Sequence, residues 1–271
     1  MTKKNNGDRR HQQMVIEDET ETDAVTLRRT VYLTIMESLS FEECGHTLLK
    51  MKLQAGQEMV ICSMIVECCS QAKLFDPFYG LLGQRFCGIN TVYRDYFEEC
   101  FVQQYSIVHR LETNRIRNVA MLFAHLLAAD VLPWRLFSYI LLTEDDTTSS
   151  SRIFLKFLFQ DLSDRLGISA LNKRLTAFHS IFPKDNPRNT RFSINFFTSI
   201  GLAGITQDLR CYLKNMQQHS DSVDRATSSE SDTGSCESDG SNLSRSSFGK
   251  CSRNHGPKRR KLSLGCMNEI V

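Results

Sequence analysis

The side chains best suited to catalysis or metal binding are ten cysteines and seven histidines in a chain of 271 residues. Cys44 and His46 are two positions apart, and such positions on a helix point in different directions, so they cannot share a metal ion. No two cysteines have the Cys-x-x-Cys spacing of a zinc site. His109 and His125 stand alone on predicted helices, where a structural role is favoured. We therefore predict no metal and no cofactor.

Common catalytic motifs are missing from the sequence. It has no Gly-x-x-x-x-Gly-Lys-Ser/Thr phosphate loop, no Gly-x-Ser-x-Gly nucleophile turn and no His-Glu-x-x-His zinc motif. Gly201 and Gly204 do not follow a strand pattern, so a helix end and a turn are the favoured interpretation there. Because no set of reactive groups converges, the sequence predicts a protein that is not an enzyme.

A polar segment from Glu144 to Ser150 is the first candidate for contact with a partner. It contains the acids Glu144, Asp145 and Asp146 and no apolar residue. A catalytic carboxylate pair would need burial to separate its two pKa values, so a solvated loop is the favoured interpretation. We predict an exposed acidic loop that contacts another protein.

The second candidate is the turn over residues 182–191, which contains Arg188 and Arg191 between two apolar helices. Guanidinium groups suit a phosphate group or an acidic protein surface. The alternative is a capped turn whose arginines hold backbone carbonyls, and this structural interpretation is favoured because such turns are common. Both arginines remain candidates for contact with a partner or with the RNA backbone.

The last region, residues 217–271, is rich in serine and poor in apolar residues, so we predict disorder. Six acids and one base lie in residues 220–240, whereas seven bases and no acid lie in residues 241–261. Ser229 has an acid three residues later, which suits an acid-directed kinase. A candidate nuclear-import signal consists of Lys258, Arg259, Arg260 and Lys261. The alternatives are a solvated charge run or nonspecific contact with RNA.

Helical patterns fill residues 23–216, after a polar lead-in over residues 1–22 that we predict to be flexible. The first helix is indicated by a spacing of four between Leu27, Val31, Ile35 and Leu39. Further helix starts are indicated by a capping box at Ser40 and Glu43, by Pro after Asp76, by Pro187, and by Thr206 as an N-cap. Gly167 and Gly201 are predicted to end helices.

Two neighbouring apolar stripes predict a helix hairpin. The first stripe runs from Tyr93 to Leu111, and the second runs from Ile116 to Leu127 after a polar interruption at Thr113. Two amphipathic helices joined by a short turn pack as an antiparallel pair. Since strand patterns are poor, the sequence predicts an all-α chain of stacked antiparallel helix hairpins, an α-solenoid with disordered termini.

Overall charge and hydropathy argue against several classes of protein. The net charge is +2, which does not favour tight binding to nucleic acid by the whole molecule. No run of 18 apolar residues indicates a membrane span, and the basic N-terminus does not have the pattern of a secretory signal. We therefore expect the cysteines to be thiols in a reducing compartment, and those in helical patterns to be buried as small apolar residues.

Several segments together resemble the nucampholin family of pre-mRNA-splicing factors. The resemblance runs in order from about residue 22 to residue 215. The segments that carry it include Val31-Tyr-Leu-Thr-Ile35, Ser40-Phe-Glu-Glu-Cys44, His109-Arg-Leu-Glu-Thr-Asn114, Phe123-Ala-His-Leu-Leu127, Leu132-Pro-Trp134, Ser149-Ser-Ser-Arg-Ile-Phe154, Asp185-Asn-Pro-Arg-Asn-Thr-Arg-Phe192 and Asn195-Phe-Phe-Thr-Ser-Ile-Gly201.

The resemblance implies an MA-three-type, HEAT-like domain over residues 23–145 and an additional helical segment packed on it over residues 146–216. It implies a spliceosome component in the nucleus, which acts as a scaffold in splicing and in assembly of the exon junction complex. The partners would be spliceosomal proteins and the pre-mRNA backbone. Family members carry a preceding helical-repeat domain that binds the exon-junction DEAD-box helicase. Its residues have no counterparts here, so contact with that helicase is not expected.

A second function from another class remains open at this point. Domains of the MA-three type also occur in translation regulators that bind the DEAD-box helicase of translation. The candidate nuclear-import signal and the number of matching segments favour splicing. Cytoplasmic location together with binding to the translation helicase would favour the alternative.

Overall fold

The computed structural model describes residues 23–216, in which helices alternate with turns and loops and no strand occurs. The all-α prediction is therefore confirmed for this part of the chain. The α-helices are α1 (23–37), α2 (Phe41–Leu49), α3 (Glu58–Gln71), α4 (Pro77–Ile89), α5 (Thr91–Ser106), α6 (Thr113–Ala128), α7 (Ser149–Leu166), α8 (Ile168–Leu175), α9 (Pro187–Ser199) and α10 (207–216). Short 3₁₀ helices cover Val108–Arg110, Trp134–Tyr139 and Ala203–Thr206.

The helices form a stack in which α3 and α6 are central. Helix α3 packs on α4, α5 and α6, while α2 packs on α4. Helix α6 packs on both α4 and α7, and α8 packs against α7. This arrangement agrees with the predicted stack of helix hairpins.

Helix α5 differs from its prediction in length and in its neighbours. The apolar stripe predicted one helix to Leu111, but α5 ends at Ser106 and Val108–Arg110 form a 3₁₀ turn. Val108 is still buried, so the stripe continues through a change of helix type. The backbones of α5 and α6 also lack the close pairing of a hairpin, because α3 packs on both.

Polar side chains cap several helix starts within the described residues. Asp76, Asn90 and Asn186 each accept a hydrogen bond from the backbone N–H two residues later, which satisfies a donor at the helix start. At α2 the Glu43 N–H donates to Ser40 Oγ at 3.2 Å, but the return bond of the predicted capping box is not formed within the described residues. A reciprocal box occurs instead at Thr148.

Of three further predictions about helix ends, one agrees with the structure and two do not. Gly167 and Gly201 have positive φ values of 81° and 85°, as expected for glycines at helix ends. Leu39 is not on the buried face of α1, because the helix ends before it and the side chain is 95% exposed. Thr206 does not cap α10: it ends a 3₁₀ helix, and its hydroxyl donates to the Ala203 carbonyl at 2.9 Å.

Aromatic side chains form a continuous core across the predicted boundary at residue 145. Phe101 of α5 lies 6.0 Å from Phe154 of α7, centroid to centroid. Phe137 of the second 3₁₀ helix stacks on Phe159 of α7 at 5.5 Å, and Phe159 lies 5.1 Å from Phe197 of α9. The helices before and after residue 145 therefore share one hydrophobic core.

Cysteines within the described residues behave as predicted from their helical positions. Six of them are buried, namely Cys44, Cys62, Cys68, Cys69, Cys87 and Cys100, while Cys211 is exposed. Burial raises the pKa of the Cys100 thiol to about 12, because the charged thiolate is disfavoured away from water. Among the described helices, none combines the length and the apolar character that crossing a membrane requires.

Candidate protein-interaction surface

Arg188 and Glu144, predicted in two separate contact segments, lie side by side in the structure. Arg188 is in the first turn of α9, where its own N–H donates to the Asn186 cap. Its Nη2 and Nε donate to Oε2 of Glu144 at 2.9 and 3.2 Å. These hydrogen bonds raise the pKa of Arg188, with further contributions from the charges of Glu144 and Asp145.

Hydrogen bonds within the loop that carries Glu144 fix its conformation, a feature that was not predicted from the sequence. Thr143 and Thr147 are buried, and the Thr147 hydroxyl donates to the Thr143 carbonyl at 2.5 Å. Asp146 accepts a bond of 2.6 Å from the Thr143 hydroxyl. The predicted exposed loop to Ser150 is therefore wrong in part, because α7 begins at Ser149 and the exposed acids are confined to residues 144–146.

Arg152 of α7 performs the structural role that was predicted for the arginines of the other turn. Its guanidinium donates to the carbonyls of Glu144 and Thr147, both at 3.1 Å. It also lies over the ring of Phe192, 4.9 Å from the centroid, a cation–π arrangement that joins α7 to α9. Arg188 instead pairs with a carboxylate, so the predicted bond from Arg188 to a backbone carbonyl is wrong.

Arg191 and Asp145 remain the most available charges of this region. Arg191 is exposed one turn after Arg188 on α9, and it makes no ion pair within residues 23–216. Asp145 is 4.0 Å from Arg188 at its nearest oxygen, and its side chain is 78% exposed. Together the four side chains form a surface of mixed charge, here called the 144/188 patch: Glu144, Asp145, Arg188 and Arg191.

A second surface feature was not predicted from the sequence. A groove of about 500 Å³ lies between α5 and the 3₁₀ helix Trp134–Tyr139. It is lined by Asp95, Glu98, Glu99, Val102, Gln103, Arg135 and Tyr139. Residues from the two walls are separated by more than thirty positions, so no local pattern indicates that they meet. We call this feature the α5 groove.

The histidines considered in the sequence occupy separate environments. His125 Nε2 lies 3.2 Å from Gln84 Oε1, and its Nδ1 lies 3.2 Å from Arg165 Nη1. Burial lowers the pKa of His125, and the charge of Arg165 lowers it further. His109 is an exposed neighbour of Arg110. No group of three or more acids, histidines or cysteines is placed to hold a metal ion within the described residues.

Five other predicted site residues lie outside the described residues, so the structure does not place them. They are the candidate phosphorylation site Ser229 and the candidate import residues Lys258, Arg259, Arg260 and Lys261.

Comparison with known proteins finds similarity over most of the described chain. Residues 27–133 match the MA3 domain. A pre-mRNA-splicing factor CWC22 homologue of Drosophila melanogaster is 55% identical over 204 residues, which is 73% of this chain and 15% of the relative. The factor cwc22 of Emericella nidulans is 54% identical over 210 residues, 75% of this chain and 24% of the relative. The Homo sapiens homologue is 51% identical over 210 residues, 75% and 23% of the two chains. The chain thus spans about a quarter, or less, of the length of these relatives.

Proposed function

Because the chain is a sequence relative of the CWC22 pre-mRNA-splicing factors over about three quarters of its length, we propose that it acts as a non-enzymatic scaffold in pre-mRNA splicing. The resemblance to a splicing-factor family that the sequence segments indicated is confirmed by these matches. In this proposal the chain contributes to the spliceosome in the nucleus by binding proteins, and its role extends to assembly of the exon junction complex.

The extent of the similarity is the observation that carries the proposal. The MA3 match ends at residue 133, whereas the alignments to splicing factors cover 204 residues or more. They must therefore include helices that follow the MA3 domain. A general likeness among MA3 domains would not extend into these helices, so the similarity favours splicing over other processes that use such domains.

A rigid helical surface is the proposed means of action. The 144/188 patch combines an ion pair with the guanidinium of Arg191, which has no ion-pair partner within residues 23–216. Mixed charge of this kind orients a partner more than it strengthens binding. Spliceosomal proteins are the proposed partners, with the pre-mRNA backbone as a further contact of Arg191. We assign no residue to the exon-junction helicase. The division into an MA3 domain over residues 23–145 and a packed segment over residues 146–216 remains a proposal.

The second candidate is a translation regulator that binds a DEAD-box translation helicase. The MA3 match over residues 27–133 is the observation that keeps it open. It makes a different prediction about location, because splicing requires the nucleus and translation takes place in the cytoplasm.

Affinity purification of the tagged full chain from nuclear and cytoplasmic extracts tests both candidates. Mass spectrometry of the nuclear sample should identify spliceosomal proteins. Recovery of the translation helicase from the cytoplasmic extract, without spliceosomal proteins in the nuclear one, would support the second candidate. Recovery of neither set would contradict both.

Charge reversal at Arg191 tests the contact surface within the same experiment. Arg191→Glu should reduce recovery of spliceosomal proteins, because it replaces an exposed cation of the 144/188 patch by an anion. Lys173→Glu is the matched control: Lys173 is exposed on α8, and the change in net charge is the same. Equal recovery with both variants would remove Arg191 from the proposed surface.

A further inference from the structure

The α5 groove is lined by both apolar and acidic side chains. Val102 and Tyr139 contribute apolar surface from opposite walls and are 36% and 56% exposed. Asp95 and Glu99 lie on the same face of α5 as Val102, because they precede it by seven and three residues. Exposed aromatic and aliphatic side chains that share a groove are typical of surfaces that bind other proteins.

The shape of the groove is fixed by an ion pair between its two walls. Arg135 Nη2 donates to Glu98 Oε2 at 2.8 Å, and Arg135 Nε donates to Glu98 Oε1 at 3.1 Å. The Glu98 side chain is only 12% exposed, so this two-bond geometry ties the 3₁₀ helix to α5. The walls are consequently preformed, and a ligand does not have to order them.

The remaining charges of the groove are negative. Glu98 is occupied by Arg135, whereas Asp95 and Glu99 have no ion-pair partner within residues 23–216. A phosphate backbone would be repelled by these acids, since nucleic-acid binding depends on neutralising phosphates with cations. Cationic side chains would be attracted, so the charge of the groove selects a basic protein segment and disfavours RNA.

We propose that the α5 groove binds a segment of another protein that carries lysine or arginine next to a bulky apolar side chain. The apolar side chain packs between Val102 and Tyr139, and the cations meet Glu99 and Asp95. Asp95 and Val102 are separated by about 10 Å along the helix axis, at 1.5 Å per residue. An extended segment covers that length in about three residues. The inference rests on the proposed scaffold role and adds the chemical class of one partner.

The test uses a fluorescein-labelled peptide of four Arg-Lys-Leu repeats and the full chain. We expect the peptide to bind in fluorescence anisotropy, and an equally long Glu-Asp-Leu peptide not to bind. The double variant Asp95→Lys/Glu99→Lys should weaken binding at least tenfold, and Val102→Ser should weaken it several-fold. Glu98 is left unchanged in every variant because it holds the opposite wall.

A matched double variant separates the groove from general charge attraction. Glu37→Lys/Asp164→Lys makes the same change in net charge at exposed acids on α1 and α7, and it should leave the affinity within about twofold. Equal weakening by the two double variants would overturn the proposal. A benzophenone placed at the leucine of the peptide should crosslink to α5 or to Trp134–Tyr139, and crosslinks confined to other parts of the chain would also overturn it.

Failure of this inference can be separated from failure of the proposed function. If the peptide does not bind but spliceosomal proteins are recovered from nuclear extract, only the groove assignment is wrong. If the peptide binds in the groove but no spliceosomal protein is recovered, the groove is a basic-segment site and the splicing role is wrong. Circular dichroism and the urea midpoint of each variant establish that it folds.

Discussion

Arg188 and Glu144 are 44 residues apart in the chain, yet the guanidinium of the first donates two hydrogen bonds to a single carboxylate oxygen of the second. The pair joins the start of α9 to the loop that precedes α7. Two segments that the sequence presented as separate candidates thereby become one surface. The consequence can be tested without knowledge of any partner.

Reversing the charge of Arg188 should release the loop. Arg188→Glu places a carboxylate beside Glu144 and Asp145, and like charges repel at this distance. We expect faster hydrogen exchange of amides 144–148, measured by mass spectrometry. The urea midpoint should change little, because both partners are more than half exposed.

The charge swap Arg188→Glu/Glu144→Arg is the control for this prediction. It restores an attractive pair and should return exchange in the loop to the original rate. Unchanged exchange in the single variant would mean that the internal bonds of Thr143 and Thr147 hold the loop without the ion pair.

Asn118 should be among the polar residues most sensitive to substitution. It is fully buried on α6, and its amide donates to the carbonyls of Cys69 at 3.2 Å and Ala72 at 2.6 Å, at the end of α3. Asn118→Ala removes the side-chain donor to the Ala72 carbonyl and one of the two donors to the Cys69 carbonyl, which also accepts from the Ala72 N–H; this loss costs roughly 1–3 kcal/mol of unfolding free energy. Urea denaturation measures the loss. Asn114→Ala, at an exposed position one turn earlier, should change stability by less than about 0.5 kcal/mol; equal losses would contradict the assigned role.

Substitution by alanine at two glycines of α4, Gly80 and Gly88, should change the unfolding free energy in opposite directions. A Cβ at Gly80 would lie 2.6 Å from Cγ of the His125 ring, and hydrogen bonds to Gln84 and Arg165 hold that ring in place. Gly80→Ala should therefore lower the unfolding free energy by about 1–3 kcal/mol.

The control for Gly80 is Gly88→Ala on the same helix. A Cβ there meets no atom within 4 Å, so the higher helix propensity of alanine should stabilise the protein by up to about 1 kcal/mol. Gly80→Ala combined with His125→Ala should be less destabilising than the sum of the single changes, because removal of the ring removes the clash. Additive losses would show that the two residues do not clash.

Stability should fall as the pH rises above 9, because of the buried thiols. An ordinary thiol has a pKa of 9.0, whereas burial raises the pKa of Cys68 to about 11 and those of Cys87 and Cys100 to about 12. Between these values the unfolded chain has lost protons that the folded chain keeps. Each such thiol therefore lowers the unfolding free energy by up to about 1.4 kcal/mol per pH unit.

Urea denaturation at pH 8, 9 and 10 under a reducing agent measures this decline. Cys100→Ala should make the decline shallower by the contribution of one thiol, while Val102→Ala on the same helix, which removes no ionisable group, should not alter it. The same slope for all three proteins would show that ionisation of Cys100 does not contribute to the pH dependence.

Local chemistry explains which parts of the fold were predictable. Asp76 with Pro77, and Pro187 after Asn186, start helices as predicted, because a side-chain acceptor and a fixed proline φ act within one turn of chain. The buried cysteines were equally predictable, since a small apolar side chain at helical spacing follows the core face. The end of α5 at Ser106 was not, because a 3₁₀ turn keeps Val108 buried and leaves the apolar stripe unbroken.

The candidate surfaces depend on contacts between residues that are far apart in the sequence. Such contacts produce no local sequence pattern. Glu98 pairs with Arg135 across 37 positions, and Arg188 pairs with Glu144 across 44. The charges themselves were visible in the sequence, so the 144/188 patch was predicted in its residues but not in its pairing. The α5 groove was missed entirely, because its walls meet only after α5 and the 3₁₀ helix have packed.

The aromatic core has a consequence for how the protein can be divided. The MA3 match ends at residue 133, but Phe154 of α7 packs on Phe101 and Phe137 packs on Phe159. A fragment cut near residue 133 or 145 would leave half of these rings without their partners. We expect residues 23–216 to melt in a single cooperative transition and shorter fragments to aggregate. The folding unit of this chain is therefore larger than the MA3 match, and neither part keeps its share of the aromatic core without the other.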